Sequence, residues 1–307
     1  MGATCRLCIL ATVFLAIVTC LGVFVLYLKT MKPYIRTEAT HILLFGGIYS
    51  PHTVEQYYPK TPSKNALLKT QSPQPLIGTT GGYLDGKILL AGGQDTNGIA
   101  KKSTFIFDQR TLAWAQLPPL KAERSFASAG VLRNRLYICG GFDGMTALAW
   151  CEYYKSFSRK WYQGASLSEP RFKAASAVLN GQMFVIGGRG QVPISTVEAF
   201  DPEMNQWTFM ASLPEPAEGV QAAILGNNII VCGGRNGLCW KFDPAEDEWK
   251  SFAYLGTERR SFSMVNFNEN LYVFGGDTVE TYEDGKWRRM LYMNLLRKRD
   301  NSVAIVV

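Results

Sequence analysis

Histidine is almost missing from this chain: two in 307 residues, His41 and His52. Neither stands at a metal-ligand spacing from a cysteine or a carboxylate, so a zinc set or a histidine-built metal centre is not expected. A nucleophile motif and a glycine-rich phosphate loop are also missing, which leaves no catalytic residue and no cofactor to assign. Low-complexity tracts and coiled-coil heptads are absent, so neither a linker nor a fibrous protein is indicated. No asparagine begins an Asn-x-Ser/Thr sequon, which agrees with a cytosolic location. The net charge of +7 is dispersed, apart from Arg288, Arg289, Arg297, Lys298 and Arg299. Without a pattern of stacking aromatics it does not point to nucleic acid, and a basic cluster facing acidic lipid headgroups accounts for it equally well.

What is present begins with an uncharged, proline-free run of 22 residues, 7–28, of which 14 are Leu, Ile, Val or Phe. At about 1.5 Å per helical residue such a run spans a bilayer core of about 30 Å. It exceeds the apolar core of a signal peptide, and no small-x-small cleavage site follows it, so the expectation is one N-terminal transmembrane helix; a cleaved signal is the alternative. Residues 1–40 then form anchor and linker. Arg6 flanks one side and Lys29, Lys32 and Arg36 the other, which tilts the remainder of the chain toward the cytosol. Gly2 is not in a myristoylation context, because Arg6 stands where Ser or Thr is preferred. Cys5 and Cys8 are either palmitoylation sites or plain thiols, and Cys20 lies within the span.

From residue 41 onward the chain repeats itself. An apolar run ends in a diglycine six times, with the first glycine at 46, 92, 140, 187, 233 and 275, so the spacings are 46, 48, 47, 46 and 42. Downstream comes an aromatic residue, often as Glu-x-aromatic, and seven residues later a tryptophan. Phe107 is followed by Trp114, Tyr154 by Trp161, Phe200 by Trp207 and Phe242 by Trp249. The sixth unit has Tyr282 and Trp287, two residues closer, and the first has Tyr57 with Lys64 in the tryptophan's place. A further apolar segment precedes each diglycine, as in "RSFASAGVL" and "RFKAASAVL", so each unit reads as four short antiparallel strands.

In these motifs the chain resembles the kelch-repeat family, and "RLYICGGFDG…CEYY…W" resembles its kelch-like subgroup, over residues 41–307. The resemblance implies an all-β, six-bladed kelch β-propeller. The glycines are then architecture: they end the second strand of each blade near the crowded axis, where a side chain would collide with a neighbouring blade. The first unit lacks its first strand, and "RDNSVAIVV" at residues 299–307 matches it, so the C-terminal strand should close the ring. No BTB module is seen in the 307 residues. Copper oxidases on related propellers need a histidine pair and a cross-linked Tyr–Cys, which nothing here brings together.

Strand alternation places the loop after strand two and the loop from strand four to the next strand one on one face. The first set carries Asp143, Arg189 and Arg235, and the second carries Arg124, Arg171, Arg260 and Arg299. In the kelch-like subgroup arginines in these loops hold acidic peptides, so the resemblance implies a binding scaffold that takes a protein or an acidic peptide on solvated arginines, and the run 7–28 would anchor it to a membrane. "SPQPLIG" in blade two and "PAEGV" in blade five lack the arginine, and the alternative is that these arginines only cap strands and pair with loop carboxylates. Two other functions stay open: a substrate receptor borrowing a ubiquitin-ligase module, and a sugar-mutarotase-like enzyme, which needs only an acid and a base near the axis. Cys139, Cys151, Cys232 and Cys239 occupy matched places that hold small or apolar residues elsewhere. They are read as buried hydrophobes, and as cross-strand disulfides only if the propeller faces an oxidising compartment.

Overall fold

The computed structural model describes residues 39–307, apart from 235–236, 256–258, 260 and 291–294. The membrane helix expected over 7–28 therefore lies outside the described residues, and among them no helix is long and apolar enough to cross a membrane. The described part is built of strands. In chain order they are β1 (Ile42–Phe45), β2 (Thr53–Tyr57) and β3 (Ala66–Gln71); β4 (Thr80–Leu84), β5 (Lys87–Ala91), β6 (Thr104–Asp108) and β7 (Ala113–Leu117); and β8 (Ser128–Leu132), β9 (Arg135–Cys139), β10 (Cys151–Lys155) and β11 (Lys160–Gln163). There follow β12 (Ala175–Leu179), β13 (Gln182–Ile186), β14 (Val197–Asp201) and β15 (Gln206–Met210); β16 (Gln221–Leu225), β17 (Asn228–Gly233), β18 (Leu238–Asp243) and β19 (Glu248–Ser251); and β20 (Ser263–Phe267), β21 (Asn270–Gly275), β22 (Thr278–Glu283), β23 (Lys286–Arg289) and β24 (Val303–Val306).

These strands make six four-stranded antiparallel sheets, five of them from consecutive strands and the sixth in the order β24-β1-β2-β3. The terminal strand thus supplies the inner strand of blade one, as the matched ends predict. Ile42 pairs with Val306 and Phe45 with Val303, and the His41 and Val307 backbones bond each other in both directions. The inner strands β4, β8, β12, β16, β20 and β24 neighbour one another around the axis.

Burial explains the residue pattern of each blade. The second strand lies between two neighbouring sheets and is apolar on both faces: Ile42 to Phe45 and Leu136 to Cys139 are all buried. Each such Leu, Ile or Phe contributes about 1.5–3 kcal/mol relative to exposure. The outer fourth strand touches the core on one side only, and β15 is mostly exposed or half-buried. The expected aromatic–tryptophan pairs are direct cross-strand neighbours, with ring centroids 4.7 Å apart for Phe107–Trp114 and 5.0 Å for Phe200–Trp207. The indole N–H of Trp161 donates to the Pro118 carbonyl at 2.9 Å, and that of Trp207 to Ala165 at 3.0 Å. Each bond spans two blades, so the rim is stitched as the aromatic's body is buried.

Candidate functional site

The diglycines build the end of the propeller at which the second strands finish. Gly140 sits at φ +66°, a backbone state that glycine adopts freely, and a Cβ there would strike the Arg171 carbonyl oxygen of the next blade. The following glycine uses the same close approach: Gly141 N–H donates to that carbonyl at 2.8 Å. Gly93 does so to Arg124 at 2.8 Å, Gly188 to Ala217 at 2.8 Å, and Gly276 to Arg299 at 2.8 Å. The collision expected at the axis is therefore specific, with the loop that leads into the next blade's inner strand.

The arginines of that loop face inward, which corrects the expectation that they are solvated. Arg124, Arg171 and Arg299 are at most 1 % exposed. Each turns back to its own blade. Arg124 Nη1 donates to the Gly140 carbonyl at 2.9 Å and Nη2 to Glu152 at 3.1 Å. Arg171 reaches the Gly187 carbonyl at 3.0 Å and Glu198 at 2.8 Å, and Arg299 reaches the Gly46 carbonyl at 2.6 Å and Glu55 at 3.2 Å. Each residue thus joins two diglycines, taking a bond from the preceding blade through its carbonyl and donating to its own blade through its side chain. The physical reason is burial: a guanidinium in a dry site needs acceptors, and a carboxylate supplies them together with carbonyls at Arg124 (Gly140 and Trp150) or with a carbonyl and a hydroxyl at Arg299 (Gly46 and Thr53). The carboxylates are tied further, Glu198 by Ser168 N–H at 2.7 Å and Glu55 by Leu296 N–H at 2.9 Å. Burial lowers the pKa of Arg124 and raises that of Glu152, and in each case the partner's charge opposes the shift. Their guanidinium groups are spent on their own blades and closed to solvent, although Arg124 Nε has no hydrogen-bond partner.

Blade six carries the same constellation through Arg259 rather than Arg260. Arg259 donates to the Gly275 carbonyl at 2.7 Å and to Glu280 at 2.7 Å. The separation from arginine to diglycine is 16 residues at Arg124, Arg171 and Arg259 alike, an interval Arg260 misses by one. Arg260 and Arg235 lie outside the described residues. Arg189 stays on the surface, its side chain 39 % exposed and paired with Glu218 at 2.9 Å.

The four glutamates Glu55, Glu152, Glu198 and Glu280 are the residues the loop argument missed. Their signal is the Glu-x-aromatic motif, and it covaries with the arginine inside this one chain. Blade two has Leu76 and Phe105 at the two places and blade five has Ala217 and Trp240, all buried. An apolar pair replaces the ion pair, never one member alone.

Above this buried layer, the loops between second and third strands present apolar tips. Tyr49, Ile99, Met145 and Val192 project from four consecutive blades, and Met145 is 86 % exposed. Two tips are held by a carboxylate at the loop's base. Asp95 accepts from Asn97 and Ile99 N–H at 2.9 and 3.0 Å, and Asp143 from Met145 and Thr146 N–H at 2.7 Å each. Lys298 Nζ lies 4.3 Å from the Tyr49 ring centre, a cation–π contact on the same face.

The central channel opens among these loops. Successive blades are linked around it by backbone bonds: Phe126 N–H to Gly78 O at 2.7 Å, Lys173 to Phe126 at 3.0 Å and Gly219 to Lys173 at 2.9 Å. The cavity behind them, about 210 Å³, is lined by small and hydroxylic residues such as Gly81, Ser176 and Ala304, and among the described residues its one ionisable side chain is Lys173. No group of three metal-ligating side chains occurs among the described residues.

Comparisons with known proteins agree with this architecture. A family model described as "KLHDC2/KLHL20/DRC7 Kelch-repeats domain" matches residues 36–234 and 84–276. Mouse "Kelch-like protein 35" is 30 % identical over 194 residues, 62 % of this chain and 27 % of that protein. Human "Kelch repeat and BTB domain-containing protein 13" is 34 % identical over 144 residues, 45 % of this chain and 27 % of that protein. The aligned stretches thus span about a quarter of these relatives' length. A solved structure titled "Structure of YjhT" superposes with a TM-score of 0.67 over 76 % of this chain and 88 % of its own, at 14 % identity, a likeness of fold alone.

Proposed function

Because the chain belongs to the kelch-repeat family, we propose that its propeller is a protein-binding scaffold whose partner docks on the face of the diglycine loops. The observation that carries this is the row of tips from four consecutive blades, Tyr49, Ile99, Met145 and Val192, each exposed at the equivalent loop. Single exposed apolar residues are ordinary, but one on each of four consecutive blades, all on one face, is a pattern that burial in a partner would relieve. Beneath the tips of blades one, three and four the arginine–glutamate pairs hold the loops in place, and in blade two the buried Leu76 and Phe105 stand there instead, so the surface is formed before a partner arrives and little ordering entropy is lost on docking.

Acidic character in the partner would be served by the surface residue Arg189 rather than by the buried arginines. The apolar segment 7–28 would tether the scaffold to a membrane. An acid–base enzyme in the channel gains no support from its lining, where Lys173 stands without a carboxylate.

The test is affinity capture with the full chain in parallel with two variants. Ile99→Asp with Met145→Asp should release the captured protein. Phe157→Asp with Met204→Asp, in the turns at the other end of the blades, should retain it. The opposite outcome would place the docking surface on the other face.

A further inference from the structure

The four cysteines of the described propeller form two disulfides, Cys139–Cys151 and Cys232–Cys239. This overturns their reading as plain buried hydrophobes. In both cases the partners are direct cross-strand neighbours, on β9 and β10 and on β17 and β18, beside the diglycine. All four are at most 2 % exposed. The equivalent pairs in the other blades are Phe45 with Val54, Ala91 with Thr104, Ile186 with Val197 and Phe274 with Val279. A reduced cysteine would suit the small or aliphatic places among these singly, such as those of Ala91, Val54 and Val279. Instead the chain fills two opposite places in one blade, two in another, and no place alone. Neither disulfide closes a long loop, since the separations are 12 and 7 residues. The strand pairs they join are already hydrogen-bonded, so the pairing is not required by topology.

We propose that both pairs are oxidised in the mature protein and that the propeller therefore matures on the disulfide-forming side of the membrane, lumenal or extracellular. This opposes the cytosolic placement suggested by the charges flanking residues 7–28. Reducing compartments keep such thiols free, whereas the secretory pathway oxidises facing pairs. The step is thiol–disulfide exchange with a disulfide oxidoreductase or with glutathione disulfide. One cysteine thiolate attacks the donor's disulfide and expels its first thiolate, and the second cysteine then attacks the mixed disulfide at the protein's own sulfur and expels the other. Two protons and two electrons leave the cysteine pair, and the donor departs as two thiols. The binding face would then meet partners outside the cytosol, which places it away from cytosolic ubiquitin-ligase modules.

Two readouts on the full chain in secretion-competent cells test this. Cells are lysed in denaturant with excess N-ethylmaleimide and the unreduced protein is digested with trypsin. Residues 136–155 hold Cys139 and Cys151 in one peptide with no internal Lys or Arg, expected unalkylated and lighter by two hydrogens. Cleavage after Arg235 separates Cys232 from Cys239, so peptide 236–241 is expected joined to the one ending at Arg235. Four alkylated cysteines would overturn the proposal. The second readout is Ser156→Asn, which completes an Asn-x-Ser acceptor sequon with Phe157 and Ser158 in a hairpin turn where Phe157 is fully exposed. Acceptors are read as the chain enters the lumen, so the result does not depend on folding. A mass shift removed by N-glycosidase is expected. An unshifted chain would overturn the lumenal placement even if the disulfides were found.

Discussion

Arg171 Nη2 stands 2.8 Å from Glu198 Oε1, and neither side chain has any exposed surface. The pair is buried in the loop layer where a solvated, ligand-seeking arginine was expected, and its energetics follow from that burial.

Removing one member should leave the other charge stranded. Arg171→Leu is expected to cost about 3–5 kcal/mol, as for other broken buried pairs. Adding Glu198→Phe, which reproduces the Leu76 and Phe105 combination of blade two, should recover more than half of that loss. Denaturant unfolding of the two single variants and the double variant measures this as a mutant cycle. Additive losses would mean that the pair is not a unit.

The two glycine environments make a second contrast. Gly140 and Gly144 both have positive φ, but a Cβ on Gly140 meets the Arg171 carbonyl while one on Gly144 meets nothing within 4 Å. Gly144→Ala should therefore cost about 1 kcal/mol, from backbone conformation alone. Gly140→Val should exceed about 2 kcal/mol, because a neighbouring backbone must also move. Equal losses in thermal unfolding would remove the steric part of the argument.

Deleting residues 299–307 takes away β24 and the Arg299–Glu55 pair together. β1 then becomes an open edge. Unfolding or association through that edge is expected. A truncated protein that sediments as a monomer with an unchanged Tm would show that closure lies elsewhere.

The loop tips should respond to acid. Hydrogen bonds from Thr146 and then Met145 hold the Asp143 carboxyl below its ordinary value of 3.8, and Lys101 followed by Ile99 does the same for Asp95. A depressed carboxyl contributes stability above its unfolded pKa, and that contribution is lost as pH falls through the folded value. Order in these loops should therefore hold at neutral pH and loosen below about pH 4. The amide resonances of Met145 and Thr146 should shift together in that window. Amides that stay constant down to about pH 2.5 would separate the carboxylate from the loop.

The fold was legible because repetition amplifies weak signals. One diglycine after an apolar run is ambiguous, but six at one period fix strand order, blade number and the closing strand, since each unit buries its second strand in the same way. The tryptophans were legible for the same reason, as with Phe107 and Trp114. The site was less so. Strand alternation put the arginine loops on one face but could not say which way Arg124 points, because direction depends on Glu152, which is close in space and 28 residues away in sequence. The joint absence of both members from blades two and five did encode that partnership. Arg259 was missed because the local likeness of "RSF" at Arg260 and Arg124 outweighed the constant interval to the diglycine. For the cysteines the repeat offered the cross-strand partnership as one of two readings, and the register of β9 with β10 sets Cys139 directly opposite Cys151.

The sheet shared by β24 and β1 also sets the order of events on the ribosome. Arg299 follows Gly46, the carbonyl it binds, by 253 residues. At about 5–20 residues per second, β1 and its buried face emerge on the order of tens of seconds before their partner exists. Blades two to six can each form from contiguous chain as they are made, but blade one must be held open until the last of them is complete. The newly made propeller is thus an unfinished arc with one sticky end for most of its synthesis, and that is the interval in which a chaperone has something to shield.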